Sequence, residues 1–571
     1  MPTARRPLPL AHWVLAPRRD DLGRDLAAGF TTAVMLIPQA MAYAMLAGLP
    51  PIVGLYASTV PLVVYALLGS SRQLAVGPGA MVSLLVATGL SELAEPGTSA
   101  YLALAITVAA MVGTLQLAMA VLRIDFLVNF LSRPVVSGFT SAAALVIGTL
   151  QLGHLLGIDL PRGSIHELLF GVASRYREIR PIPLAIGAGS ITVLLVLRRW
   201  APRVPAALVV VVVGTLAVWG LDLHAYGVAI VGTVPAGLPA FALPSLGSDS
   251  LRSLLPTAIT IAMMSFLEAI SVGKRFAARG GYELDTNQEL RSLGLANLAG
   301  GVFGAYPVTG GLSRTAVNAA AGARTSMAGL VTATVVALTL ALFTPLLHFL
   351  PTAVLAAIIM VAVLGLVDIE EVRRLWRVER SELGLMLITF GATLVLGVKE
   401  GIAVGVAASL VWHVARTTRP HAAVLGRLPG TEVFRNVERF AEAEVTPGVL
   451  VLRIDAQLFF GNVVFLKQTL RRLVDEAPAA VHTIVLDAAS INRLDSSADA
   501  ALHELHAWLA ARNVVLRLAS VKGPVRDMMK RTGLWSKVTA ACIHPTVHEA
   551  AVIATTSTSP PARPEHAPAI A

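Results

Sequence analysis

Along the first 420 residues, apolar runs of about 20 residues alternate with short polar turns, the length that crosses a hydrocarbon core of about 30 Å. Spans read at 24–47, interrupted at Pro38, and at 52–68. The next apolar run, 77–90, is too short to cross comfortably and opens on Val76-Gly77-Pro78-Gly79-Ala80. Further spans begin near Tyr101, Arg133, Ile182 and Val204, and a polar, proline-rich stretch at 221–247 closes the first half. The second half restarts with spans at 253–272 and 289–303. A short glycine-broken run at 307–318 follows, then spans near Ala328, Thr352, Glu382 and Gly401. The pattern is seven segments plus seven, and in each half the third is short and preceded by Gly and Pro. Interrupted segments at corresponding positions of two halves mark a binding site at membrane depth. Because seven is odd, the second half enters the bilayer from the opposite side, so the repeats are inverted.

Near Thr431 the pattern changes. Strand-like runs at 449–454, 483–486 and 514–518 alternate with amphipathic stretches at 463–475, 497–511 and 524–532, which predicts an α/β layer fold. The expected organisation is an N-terminal cytoplasmic tail (1–20), an all-α polytopic membrane domain (21–420), a soluble α/β domain (431–552) and a Pro/Ala/Ser-rich disordered tail (553–571).

Composition agrees. The 571 residues are 55% hydrophobic and 14% charged, against roughly 25% charged in soluble domains. The net charge of +10 does not indicate nucleic acid, because the Lys and Arg are scattered through short loops, as expected of cytoplasmic loops. With the N-terminus inside, the inner loops hold Arg198, Arg199 and Arg203; Lys274, Arg275 and Arg279; Arg373, Arg374, Arg377 and Arg380; and, after the last span, Arg416, Arg419 and Arg427. The outer stretch 221–247 has no Lys or Arg, while Arg162, Arg175, Arg177 and Arg180 fall on the outer side against the rule. The N-terminus carries arginines at 5, 6, 18 and 19 without an apolar core and cleavage site, so no cleaved signal peptide is expected. A lone cysteine, Cys542, excludes an intrachain disulfide and any multi-cysteine metal site.

Two half-helices that meet N-terminus to N-terminus each present about half a positive charge to the gap between them. Their first N–H groups have no intrahelical partners and are free for anion oxygens, and the candidate anion-binding residues at the two starts are Gly79, Ala80 and Met81 and Leu312, Ser313 and Arg314. Ser313 and Thr315 add hydroxyls, and an arginine at membrane depth is a functional candidate in itself. Glu268 is the one carboxylate well inside the first span of the second half. It either has a raised pKa or sits against Arg314, as a proton site or as a pair that only fixes helix packing. Gln39 and Tyr43 share a face at i and i+4, as ligand contacts or interhelical hydrogen bonds. His503-Glu504-Leu505-His506 lacks the spacing of a zinc-protease helix and reads as a solvated face; no GxxxxGK[ST] loop is present. Asp495-Ser496-Ser497 reads as a helix N-cap. Neither a metal nor a cofactor is expected.

IPQAMAYAMLAGLPPIVGLYAS (37–58), GSSRQLAVGPGAMVSLL (69–85), AYPVTGGLSRTAVNAAAGART (305–325) and FLEAISVGKRFAARGGYELDTNQEL (266–290) resemble the sulfate permease family, and RNVERF with GVLVLRIDAQLFFGN resembles the entry to its STAS domain. The resemblance covers roughly residues 20–550. It implies a fourteen-segment inverted-repeat fold in which a core slides against a gate, with the anion held between the third and tenth segments. The Ser-Arg pair of the tenth segment matches Ser313 and Arg314, and the acid linked to proton coupling matches Glu268. Some relatives carry Asp or Thr after the third-segment Gly-Pro; here that residue is Gly79. Ser497 is the nearest match to the serine phosphorylated in bacterial regulatory STAS proteins. The resemblance thus implies a secondary importer of sulfate or a similar oxyanion by proton symport, in the cell (inner) membrane. Its N-terminus and STAS domain would be cytoplasmic, and it would form a homodimer with an unidentified STAS-binding partner. The alternatives are a sodium-coupled bicarbonate or proton-coupled dicarboxylate carrier on the same fold, or a membrane-tethered STAS sensor.

Overall fold

The computed structural model describes residues 19–124, 132–158, 160, 165–201, 204–242, 244 and 247–556. Arginines 5, 6, 18, 162 and 203, and the C-terminal residues 557–571, lie outside the described residues. The chain divides into two units, Met1–Ser409 and Leu410–Ala571.

In the first unit, α1 (Arg19–Leu46) runs through Pro38 without the interruption expected there. A membrane helix tolerates such a proline because neighbouring groups re-satisfy the freed carbonyl. It is the second span that breaks, into α2 (Pro51–Tyr56) and α3 (Val60–Leu68). Ser58 and Thr59 turn their hydroxyls back onto the carbonyls of Gly54 and Tyr56, competing with the helical ladder, and Pro61 starts the new helix. The third segment is a two-residue strand, β1 (Val76–Gly77), leading into the short helix α4 (Ala80–Leu90). Helices α5 (Ser99–Val121), α6 (Arg133–Leu156), the short surface helix α7 (Ile165–Ser174), α8 (Pro181–Trp200) and α9 (Ala206–Gly220) complete the first half.

The second half repeats the order: α10 (Ser248–Gly280), α11 (Thr286–Val302), strand β2 (Thr309–Gly310) leading into the short helix α12 (Leu312–Ala320), α13 (Met327–Leu338) and α14 (Thr352–Leu364). Amphipathic α15 (Ile369–Val378) links α14 to α16 (Arg380–Val395), and α17 (Val398–Thr418) is last. Eight stretches among the described residues are long and apolar enough to cross a membrane, counting α2 with α3, α13 with the turns that extend it to Leu347, and α14 with α15 as one stretch each. The other six of the fourteen segments are shorter or more polar, the two half-helices among them. Helices α1–α5 pack with α10–α13 into one bundle; α6, α8, α9, α14 and α16 form a second, and α1 faces α9 and α14 across the seam.

In the second unit a six-stranded sheet has the order β4-β3-β5-β6-β7-β8: β3 (Ala422–Arg427), β4 (Phe434–Asn436), β5 (Val449–Ile454), β6 (Thr483–Asp487), β7 (Val515–Ala519) and β8 (Ile543–His544). Strands β5 to β8 are parallel, and β3 and β4 are antiparallel. Alternation along β5 feeds two cores. Leu450, Leu452 and Ile454 face α18 (Val463–Asp475), α19 (Ser496–Ala510), α20 (Gly523–Thr532) and α21 (Leu534–Val538); Val449 and Val451 face α22 (Val547–Thr556). The α/β fold is as expected, with two differences at its borders. Strand β3 pairs with β5 although it precedes residue 431, and α22 carries ordered chain four residues beyond 552.

Candidate functional site

The two short helices start at one crossing. β1 and β2 pair antiparallel, Val76 opposite Gly310 and Gly77 opposite Thr309, and each leads within two residues into its helix. Gly79 and Gly311 are the N-caps, both extended and without a side-chain cap. The first intrahelical bonds run from Ser83 N–H to the Gly79 carbonyl and from Thr315 N–H to the Gly311 carbonyl. The amides of Ala80, Met81 and Val82, and of Leu312, Ser313 and Arg314, therefore have no intrahelical acceptor.

A hydrogen-bonded frame holds the crossing. The Ala75 amide donates to Thr315 Oγ1 at 3.1 Å, Thr315 donates to the Gly311 carbonyl at 2.7 Å, and the Gly311 amide donates to the Ala75 carbonyl at 3.1 Å. On the other side, the Val308 amide donates to Asn297 Oδ1 at 2.8 Å, Asn297 donates to Gln116 Oε1 at 3.0 Å, and Gln116 donates to Ser265 Oγ at 2.8 Å. Thr309 donates to the Ser265 carbonyl at 2.9 Å, and the Tyr306 and Ser83 hydroxyls meet at 3.0 Å.

Arg314 is 1% exposed. One terminal guanidinium nitrogen donates to the Pro78 carbonyl and the other to the Thr309 carbonyl at 3.4 Å, so the side chain ties the approach of α4 to that of α12. Its Nε has no partner among the described residues. A guanidinium has five donors, and the bonds to Pro78 and Thr309 use two of them. The group lies flat under Gly311, where a Cβ would come within 2.7 Å of Nη2 and 2.8 Å of Cζ. Gln39 donates to Tyr43 Oη at 3.0 Å and to Ser313 Oγ at 3.4 Å, while its buried Oε1 has no partner.

These groups line one cavity of about 550 Å³. Its polar wall, from the first bundle, brings together Gln39, Tyr43, Gly79, Ala80, Met81, Glu268, Leu312, Ser313 and Arg314; Thr315, also expected to offer a hydroxyl there, is fully buried and donates it to the Gly311 carbonyl. The Glu268 carboxylate points at the start of α4, with Oε2 3.7 Å from where a Cβ on Gly79 would stand. The opposite wall is apolar and comes from the second bundle, including Leu194, Ala206, Ile358 and Val361; the cavity extends to Arg198 and to Gly365 and Leu366 at helix ends. Sequence reasoning did not find this wall, nor the frame residues Gln116, Asn297 and Thr309.

Two further buried carboxylates were also missed. Glu289 accepts from the Tyr65 hydroxyl (2.7 Å), the Ser70 amide and hydroxyl (2.7 Å each) and the Ser71 amide (2.9 Å). Asp25 accepts from the amides of Arg324 (2.7 Å) and Thr325 (3.1 Å) and from the Thr325 hydroxyl. Each fastens a turn beside a half-helix. In the second unit, Ser497 is exposed in the first turn of α19 and Asp495 caps that helix through the Ala498 amide at 2.8 Å. His503 and His506 are half-buried rather than solvated, and His503 lies 3.5 Å from the buried Asp499.

The sulfate permease family profile matches residues 22–389, and the STAS domain profile matches residues 440–550. The chain is 38% identical over 561 residues to sulfate transporter 4.1, chloroplastic, of Arabidopsis thaliana, covering 95% of this chain and 82% of that one. It is 37% identical over 521 residues to a probable sulfate transporter of Mycobacterium tuberculosis, covering 91% and 93%. Among solved structures, murine Slc26a9, an anion transporter in the inward-facing state, superposes with a TM-score of 0.88 at 25% identity, covering 95% and 93%. The transmembrane domain of a cyanobacterium bicarbonate transporter, BicA, superposes with a TM-score of 0.60 at 26% identity, covering 69% and 98%.

Proposed function

The chain belongs to the sulfate permease family of anion transporters, and we propose that it imports sulfate by proton symport, with Arg314 as the fixed charge of the site and Glu268 as the proton carrier. The observation that carries this reading is the buried guanidinium with an unpartnered Nε where two half-helix N-termini meet. Arg314 contributes one positive charge and the two helix ends about half each, roughly plus two opposite a sulfate dianion. A protonated Glu268 leaves that balance intact, whereas an ionised one reduces it to about plus one and competes for the same donors. Membrane potential favours the same coupling. Carrying two negative charges inward against −100 mV costs about 4.6 kcal/mol, at about 2.3 per charge, and each co-transported proton offsets half.

Position 79 departs from the Asp or Thr of some relatives, which weakens the carry-over from bicarbonate members and leaves the dicarboxylate alternative to the experiment. A Cβ there would stand 2.5 Å from the Thr309 methyl, so the Asp or Thr that some relatives carry has no room. The reach of the cavity to Arg198 supports an opening on the arginine-rich, cytoplasmic side. In this reading the protein sits in the cell (inner) membrane as a homodimer with its N-terminus and STAS domain cytoplasmic, and the first bundle carries the site past the second. The test is purified full-length protein in liposomes, with labelled sulfate, bicarbonate and succinate offered under imposed pH or sodium gradients. Sulfate accumulation driven by an inward proton gradient is expected; accumulation of bicarbonate driven by sodium, or of succinate in preference to sulfate, overturns the reading.

A further inference from the structure

Helix α15 (Ile369–Val378) is too short and too charged to cross a membrane, yet it carries large apolar side chains outward. One face is anchored: Leu375 is buried with Leu383 and Met386, and Val372 packs on them. Away from that face, Ile369, Trp376 and Val378 are 56%, 63% and 69% exposed. Arg373, Arg374, Arg377 and Arg380 are set among them. Arg374 is neutralised by Glu371 through two bonds of 2.7 and 2.5 Å. Among the described residues, Arg373, Arg377 and Arg380 take no carboxylate partner, and the Arg380 guanidinium lies 5.6 Å from the centre of the Trp376 ring. Arg373, Arg374 and Arg377, with Glu370 and Val378, line a shallow hollow of about 340 Å³.

An exposed tryptophan and isoleucine beside a stripe of unpaired arginines is the pattern of a helix lying in the membrane interface, with the apolar side chains at the acyl boundary and the cations at headgroup level. Guanidinium forks match phosphate oxygens. A free phosphate or sulfate ion would use the arginines and leave Trp376 and Ile369 without a role; a lipid engages both. We propose that α15 and the start of α16 bind the phosphate headgroups of anionic phospholipids through Arg373 and Arg377 of α15 and Arg380 of α16, with Trp376 and Ile369 set against the acyl chains. Helix α15 begins three residues after Leu366, which lines the sulfate cavity, so the bound lipid sits beside the entrance to that cavity.

The test is lipid retention by the purified full-length protein in a neutral detergent. The protein is titrated with phosphatidylglycerol or phosphatidylcholine, and bound lipid is counted by native mass spectrometry. The parent is expected to retain phosphatidylglycerol in preference to phosphatidylcholine. The Arg373→Gln/Arg377→Gln/Arg380→Gln variant should lose that preference, by roughly fivefold per arginine removed, and the corresponding triple Lys variant should keep most of it. Trp376→Ala should weaken retention of both lipids without removing the preference. Equal phosphatidylglycerol retention by the parent and the Gln variant overturns the proposal, as does displacement of the lipid by inorganic phosphate at the same concentration.

Discussion

Replacing Gly79 by alanine tests the geometry of the crossing without touching a charge. The new Cβ would stand 2.5 Å from the Thr309 methyl, where ordinary contact begins at 3.4 Å. The methyl cannot simply rotate away, because the Thr309 hydroxyl is held to the Ser265 carbonyl at 2.9 Å and a β-branched side chain has few rotamers to choose from. The displacement therefore falls on the Thr309–Gly310 backbone, which is paired with Val76–Gly77. Overpacking of this kind costs about 1–3 kcal/mol, equivalent to roughly 5- to 150-fold in the population of the binding-competent crossing. Thr309→Ser removes the methyl and keeps the hydroxyl, so the double variant should recover most of the loss, with a coupling energy of about the same size and opposite sign. The assay is labelled-sulfate exchange in liposomes at equal protein abundance, read as KM. An unchanged KM in Gly79→Ala, or a double variant as impaired as the single, would refute the reasoning.

Arg314→Ala should abolish sulfate accumulation. Arg314→Lys should keep a fraction of it, because an ammonium cannot reach Pro78 and Thr309 together and still face the anion; full uptake by the Ala variant removes Arg314 from the site. Glu289→Gln should destabilise the protein by about 1–3 kcal/mol, since an amide nitrogen would face the donors of Ser70 or Tyr65, and the pH dependence of residual uptake should match that of the parent; a shifted profile would give Glu289 a role in coupling. Ending the chain after Arg419 should lower abundance or dimerisation more than anion preference, because the STAS domain builds its own core; an altered preference at equal abundance contradicts this.

The half-helices were legible because glycine and proline interrupt an apolar run in the same place in each half, a local signal that survives without any knowledge of packing. The strand pair between them was not, since Val76–Gly77 and Thr309–Gly310 are too short to show alternation. Glu289 and Asp25 escaped notice because their partners lie 219 and 299 residues away, and a lone carboxylate has no period. The apolar wall of Leu194, Ala206 and Ile358 reads like any membrane-spanning face. In the soluble unit, β5 and α18 stood out by alternation and amphipathicity, whereas β3 follows an alanine-rich helix and looks like its continuation. Pro38 misled because proline in water breaks helices, while inside a bundle it only removes one bond.

In the proposed symport, Glu268 links the charge balance to the direction of transport, so the most direct measurement compares the parent with Glu268→Gln in liposomes. Sulfate uptake is followed with and without an inward proton gradient, alongside sulfate–sulfate exchange at equal pH. A glutamine mimics the protonated acid. The variant is therefore predicted to exchange sulfate as the parent does and to lose uphill accumulation driven by pH. A variant that still concentrates sulfate under the proton gradient to the parent's level would contradict the account and leave Glu268 as a packing residue.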